Sequence, residues 1–195
     1  MILSKEDLRH YICEDKKRNL GTRRLGFWKS LGKWLYGSDD WKAYQLLKAL
    51  RKLEYAKNVL RKRGLLGKLV YAWRQYRFHR LEEKYNVSIG TNMLGYGFRL
   101  PHIIGGGIII NANSIGNYCG ANVGVVIGNN RSKDDRPTIG NHVALTMGCK
   151  IYGNITIGDN VTIAPNSVVV KDVPPNCVVS GVPARIIKQD GHKVE

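Results

Sequence analysis

The stretch IGNHVALTMGCKIYGNITIGDNVTIAPNSVVV, residues 139–170, decides the fold. Ile139, Leu145, Ile151, Ile157, Ile163 and Val169 recur in it at steps of six. Four residues after successive members come Val143, Cys149, Ile155, Val161 and Ser167, and Gly or Ala often follows the aliphatic residue, as in Ile139-Gly140, Ile157-Gly158 and Ile163-Ala164. A step of six suits neither a heptad coil nor a long strand. It suits short strands joined by tight turns, stacked so that the aliphatic residues form columns. One unit cannot bury its aliphatic residue alone, so the stack must be continuous and its backbone hydrogen bonds must run from coil to coil. That arrangement is a parallel β-helix. Upstream, Leu94 and Leu100 keep the same step, as do Ile115, Ala121 and Ile127. Two repeat units then separate Ile127 from Ile139, and residues 129–137 between them read as an exposed loop.

Residues 1–85 have a different period. Ser38-Asp39-Asp40 offers a helix N-cap, and Ala43, Leu46, Leu47, Leu50, Leu53, Ala56 and Leu60 follow at steps of three and four, on one helical face. Gly64 and Gly67 interrupt the pattern, and a second run follows with Leu66, Leu69, Val70, Trp73, Arg77 and Leu81. The chain thus divides into a basic helical region over 1–85, a mainly β domain over 86–188 and a short polar tail over 189–195.

The net charge of +16 belongs to the first region: residues 1–85 hold 22 Lys/Arg against 9 Asp/Glu, and residues 86–195 hold 9 against 6. Such asymmetry fits an anionic partner or a solvated helical face. The aromatic and basic segment 27–36 (FWKSLGKWLY) suits helix or subunit packing, with a membrane interface as the alternative. No nucleic-acid motif accompanies it, so nucleic acid is not expected as a partner. No run of 18 apolar residues reads as a membrane span, and the first residues lack a basic stretch followed by an apolar one. A cytoplasmic location is expected, with a peripheral position at the inner membrane face as its variant. Cys13, Cys119, Cys149 and Cys177 show no CxxC spacing and read as reduced, mostly buried side chains.

The repeats resemble the hexapeptide-repeat acyltransferases, which implies a left-handed parallel β-helix and a homotrimer. Within that group Leu100-Pro101-His102-Ile103-Ile104-Gly105-Gly106, Asp135-Arg136-Pro137-Thr138-Ile139-Gly140 and Gly181-Val182-Pro183-Ala184-Arg185 look like serine O-acetyltransferases. They look equally like the enzymes that acetylate colanic acid and other capsular polysaccharides. The resemblance covers residues 86–188. It implies acetyl-CoA as co-substrate and His102 as catalytic base, since an alcohol attacking a thioester must lose its proton and neutral imidazole suits that task. It implies coenzyme A contacts at Gly128, Met147, Gly148 and Pro165, with Arg185 and Lys188 meeting its phosphates. Acceptor contacts fall on Asp134, Asp135 and Arg136. Two trimers pairing through the helical region is a further expectation.

Three departures bear on the acceptor. Ser88 and Pro101 stand where serine acetyltransferases have Asp, and Pro137 directly follows Arg136 where they have a histidine. These departures favour a sugar hydroxyl of cell-surface polysaccharide as acceptor, with L-serine as the alternative and a non-catalytic scaffold as the remote one. No metal is expected, because only His102 and His142 lie in the repeats. His142 itself reads as a surface or subunit-packing residue.

Overall fold

The computed structural model describes residues 1–22, 26, 28, 32, 35–129, 132 and 135–194. Three helices come first: α1 (Lys5–Leu20), α2 (Asp39–Asn58) and α3 (Leu65–Tyr85). A reciprocal capping box starts α1. The Asp7 N–H donates to Ser4 Oγ at 2.9 Å, and the Ser4 N–H donates to Asp7 Oδ2 at 2.9 Å. Ser38 holds the N-cap position of α2 as expected, yet its hydroxyl makes no capping bond. Ala43, Leu46, Leu47, Leu50, Leu53 and Ala56 are all buried, while Leu60 leaves the helix for a 3-10 turn, Leu60–Lys62, and is only half-buried.

The second apolar run divides. Phe78 and Tyr85 of α3 pack inward, and Gly67 lies so close to α2's exit that a Cβ there would sit 1.9 Å from the Leu60 carbonyl oxygen. Leu66, Leu69 and Trp73 point away from the protein. The first half of α3 is apolar on two sides, and α2 covers one of them. Among the described residues no helix is long and apolar enough to cross a membrane.

From Val87 the chain coils. One sheet stacks β1 (Val87–Ile89), β2 (Ile108–Ile110), β5 (Val126–Gly128), β8 (Lys150–Tyr152) and β11 (Val168–Val169). A second stacks β3 (Ser114–Ile115), β6 (Thr138–Ile139) and β9 (Thr156–Ile157). A third stacks β4 (Gly120–Ala121), β7 (Ala144–Leu145), β10 (Thr162–Ile163) and β12 (Cys177–Gly181). All these neighbours are parallel. The registers place Ile139 beside Ile157, Leu145 beside Ile163 and Ile151 beside Val169. Residues eighteen apart are therefore neighbours in a sheet, so one coil is three hexapeptides and the chain winds a three-sided prism. Every member of the six-step ladder is buried. Each fully buried aliphatic contributes about 1.5–3 kcal/mol relative to exposure.

Two coils are longer. Ile110 pairs with Ile89 across twenty-one residues, and Ile151 pairs with Ile127 across twenty-four. The first excess is the turn around His102, and the second is the loop over 129–137. After the last coil, β12 turns back as an antiparallel pair with β13 (Ala184–Gln189), which in turn pairs with β14 (His192–Lys193). Part of the expected polar tail thus continues the third sheet.

The first coil would expose unpaired backbone groups at the open end of the prism, and the helices satisfy them. Arg51, fully buried, donates to Asp15 Oδ2 at 2.9 Å, to Glu54 Oε2 at 3.2 Å and to the Leu94 carbonyl at 2.8 Å. Asp15 Oδ1 accepts from the Phe98 N–H, Asn19 Oδ1 from the Leu100 N–H, and Glu54 Oε1 from the Asn92 N–H. Burial works against the Arg51 charge, but Asp15 and Glu54 overcome it and hold the guanidinium above its ordinary range. The apolar core is continuous across this junction, from Leu46 and Leu50 of α2 through Phe98 and Leu100 into the prism.

Removing one partner of such a cluster strands a buried charge. Arg51→Met is expected to cost about 3–5 kcal/mol and to lower Tm by roughly 6–20 °C. Thermal melting followed by circular dichroism checks this, and an unchanged Tm would contradict the clamp. The thiols give a second test. Burial pushes Cys119 up to about 11 and Cys149 up to about 12, and also raises Cys177. A raised thiol pKa means less thiolate at neutral pH. A thiol-specific disulfide reagent is expected to spare these three cysteines in the folded protein and to label them in denaturant. Rapid labelling of Cys149 without denaturant would refute the burial.

Candidate active site

Each edge of the prism is a column of turns. Where the third sheet passes to the first, the column holds Pro101–Gly107, then Asn122–Gly124, then Thr146–Gly148, then Ala164–Asn166. Hydrogen bonds stitch it together: the Gly124 N–H donates to the Gly106 carbonyl at 3.1 Å, Gly148 to Val123 at 2.9 Å, and Asn166 to Met147 at 2.9 Å. The corner demands left-handed backbone, which Gly124 and Gly148 supply at φ near 70°. A Cβ on Gly148 would lie 2.2 Å from Asn166 Oδ1, so glycine is also the residue that lets these coils approach.

His102 opens the longest turn of that column. Its backbone is left-handed, φ 56° and ψ 37°, and its carbonyl accepts from the Gly105 N–H at 3.0 Å as the 3-10 turn Ile103–Gly105 begins. Ile103 is buried and anchors the turn, while the imidazole stands exposed on the rim. No hydrogen bond among the described residues engages the ring. Met147, half-exposed, lies two coils along the same edge, with Gly148 beside it and Pro165 one coil further. Four of the expected site residues, His102, Met147, Gly148 and Pro165, therefore share one open edge. An exposed imidazole at the end of an open column of turns can accept a proton from a hydroxyl brought to that edge.

The other expected residues lie elsewhere in the same protomer. Gly128 ends β5 at the next edge, where the loop over 129–137 emerges. Asp135 Oδ1 accepts from the Asn154 N–H at 2.7 Å, which braces the loop against the following coil. The Arg136 carbonyl accepts from Asn113 Nδ2 at 2.8 Å, while its buried Nε finds no acceptor among the described residues. Asp134 lies outside the described residues. Arg185 and Lys188 are exposed on β13, beyond the last coil. Ser88 is exposed in the middle of β1, and Pro101 precedes the base without offering a carboxylate.

His142 sits on the third edge. Its ring stacks on Tyr118 at 5.3 Å and 15°, and Tyr118 meets Tyr96 edge-on at 5.3 Å. A groove of about 210 Å³ runs from there across the third sheet to Pro101, lined also by Arg18, Arg99, Tyr118 and Thr146. Sequence reasoning missed Arg18, Arg99 and Tyr118. For Arg99 and Tyr118 the signal is a coil register that places residues about twenty apart side by side; Arg18, on α1, has no such signal.

Comparison with known proteins agrees with this architecture. Residues 136–171 match the family model for bacterial transferase hexapeptide (six repeats). The serine acetyltransferase of Synechococcus elongatus is 40% identical over 105 residues, 52% of this chain and 42% of that protein. That of Buchnera aphidicola is 33% identical over 153 residues, 76% of this chain and 54% of that protein. The chain thus spans about half the length of these curated relatives. Neisseria gonorrhoeae serine acetyltransferase in complex with serine superposes with a TM-score of 0.72 and 32% identity, covering 95% of this chain and 71% of that one. These findings correct the expected sugar acceptor: the similar proteins are serine acetyltransferases, and one of them holds serine. The departures at Ser88, Pro101 and Pro137 fall at three separate places, a strand face and two different edges, and each is a single side chain. With the prism, the turn column and His102 in place, the chain belongs to the hexapeptide-repeat acyltransferases of left-handed β-helix fold, close to the serine O-acetyltransferases.

Proposed function

We propose that this protein transfers the acetyl group of acetyl-CoA to the hydroxyl of L-serine, with His102 as general base. The observation that carries the reading is the 32% identity, over 95% of the chain, to a serine acetyltransferase holding serine. The exposed imidazole at an open edge supports it. In this reading the serine hydroxyl gives its proton to the His102 imidazole as its oxygen attacks the thioester carbon. The carbon–sulfur bond then breaks, and the imidazolium returns the proton to the departing thiolate. No covalent acyl-enzyme is needed. The pantetheine arm runs along the edge holding Met147, Gly148 and Pro165.

The reading calls for a homotrimer in the cytoplasm. His102 and the loop with Arg136 occupy different edges of one protomer, so a site that uses both needs the loop of a neighbouring copy. The Arg136 Nε, buried and without an acceptor among the described residues, supports that role, because such a donor suits a ligand carboxylate. Coenzyme A reaches Gly128 in the same way, across the subunit boundary, and Arg185 and Lys188 offer charge to its phosphates.

Purified protein mixed with acetyl-CoA and L-serine is expected to release coenzyme A in a saturable, serine-dependent reaction. No release above the rate without serine would overturn the reading. His102→Asn is expected to lower kcat by about 10²–10⁴-fold while leaving KM for serine near its original value. A variant with full kcat would remove His102 from the chemistry. Met147→Trp, which crowds the same edge without touching the imidazole, is expected to raise KM for acetyl-CoA and to spare kcat. Unaltered KM would place the pantetheine arm on another edge.

A further inference from the structure

The outer surface of the helical region has a chemistry that acetyl transfer does not use. Between α2 and α3 lies a cleft of about 580 Å³ into which Lys42, Lys48, Lys52, Arg74, Arg77 and Lys84 converge. No carboxylate lines it among the described residues. Six cations around one cavity repel one another, and anions between them would relieve that repulsion. The crowding registers on the groups themselves. Lys52 is held below its ordinary range by burial and then by Lys48, Arg74 and Arg77, and Arg74 by burial and then by Arg77.

The apolar side of α3 borders this cleft. Leu65, Leu66, Leu69, Trp73 and Tyr76 are 75%, 74%, 59%, 50% and 63% exposed on one side of the helix, away from Phe78 and Tyr85. Trp73 joins the two surfaces. The guanidinium groups of Arg74 and Arg77 lie 4.7 and 5.0 Å from its ring, and both arginines line the cleft. Arg61, Lys62 and Arg63 stand exposed just before the helix begins. Over residues 61–84 there are eight Lys/Arg and two Glu, and one of those, Glu83, is already paired with Arg80 at 3.0 Å.

Charge selects the occupant. A second copy of this surface would bring the same cations against these, with no acidic patch to receive them. A soluble phosphate compound would fill the cleft but leave the apolar side of α3 in water. A bilayer of anionic phospholipid answers both, since its phosphates meet the cleft and its acyl boundary receives Leu, Trp and Tyr at the depth such residues favour. We infer that α3 and the α2–α3 cleft form a docking surface for anionic membranes, with the cleft cations on the lipid phosphates and Leu65, Leu66, Leu69, Trp73 and Tyr76 in the acyl boundary. The docking is peripheral, and it stands independently of the acetyl acceptor.

The test is flotation of the full chain with vesicles of phosphatidylcholine mixed with phosphatidylglycerol, against phosphatidylcholine alone. The protein is expected to float with the anionic vesicles only, and to be released as sodium chloride rises. Each cation lost near the surface weakens binding about fivefold, so Arg77→Glu, a change of two charges, is expected to weaken it about thirtyfold. The double variant Leu69→Ala with Trp73→Ala is expected to weaken it as well, while Lys171→Glu, in the last coil of the β-helix, leaves it unchanged. Circular dichroism verifies that each variant keeps its helices. Equal binding to neutral vesicles, no binding to either, or indifference to both α3 variants would overturn the inference. Calorimetry with inorganic pyrophosphate separates the remaining source. Pyrophosphate binding without vesicle binding would make the cleft a soluble-phosphate site and overturn membrane docking.

Discussion

The buried guanidinium of Arg51 is the constraint on which the other parts depend. A β-helix is stable along its length because every coil pairs with the next, but its first coil has no predecessor. Here the side chains of α1 and α2 stand in for one. Arg51 takes the Leu94 carbonyl, Asp15 takes the Phe98 N–H, Glu54 takes the Asn92 N–H, and Asn19 takes the Leu100 N–H. Buried charges seldom add net stability against a well-packed apolar alternative. Their value here is directional, because each fixes a named backbone group of the first coil. Leu100 stands two residues before His102, so the cap that closes the prism also sets where the base emerges.

From that coil onward the site follows from stacking. The same turn recurs at each edge, and hydrogen bonds between successive turns hold Gly106, Val123 and Met147 in one column. His102 is presented by a turn, not by a strand. The second long insertion, over 129–137, leaves from a different edge. A single protomer therefore separates the base from the loop arginine, which is why the proposed function draws on a neighbouring copy. The helical region then has two surfaces with two tasks: an inner one that closes the prism, and an outer one whose cations and apolar residues face outward.

The β-helix was legible in the sequence because one physical requirement repeats. An aliphatic residue every sixth position can be buried only by stacking, and Ile139 through Val169 meet that requirement without a break. Ala43 to Ala56 of α2 were legible for the same reason, at helical spacing. The Arg51 clamp was not, since Arg51, Asp15 and Glu54 look like ordinary helix-surface charges until the coil at Leu94–Leu100 lies against them. Nor was the outward face of α3, because an apolar period shows which residues share a side and not which side is covered. His102 was reached through resemblance, as its residue type and its glycine-rich turn alone do not distinguish it from His142. The acceptor is not legible for a related reason. Ser88, Pro101 and Pro137 are three local changes that point towards a sugar, whereas the similarity to serine acetyltransferases extends along the chain.

The most direct test of the account is a crystal structure of the protein with coenzyme A. The account predicts the pantetheine arm along the edge formed by Met147, Gly148 and Pro165, with the thiol sulfur beside the His102 imidazole and the loop bearing Arg136 supplied by a neighbouring copy. Coenzyme A bound on another edge, with its sulfur away from His102, would contradict it.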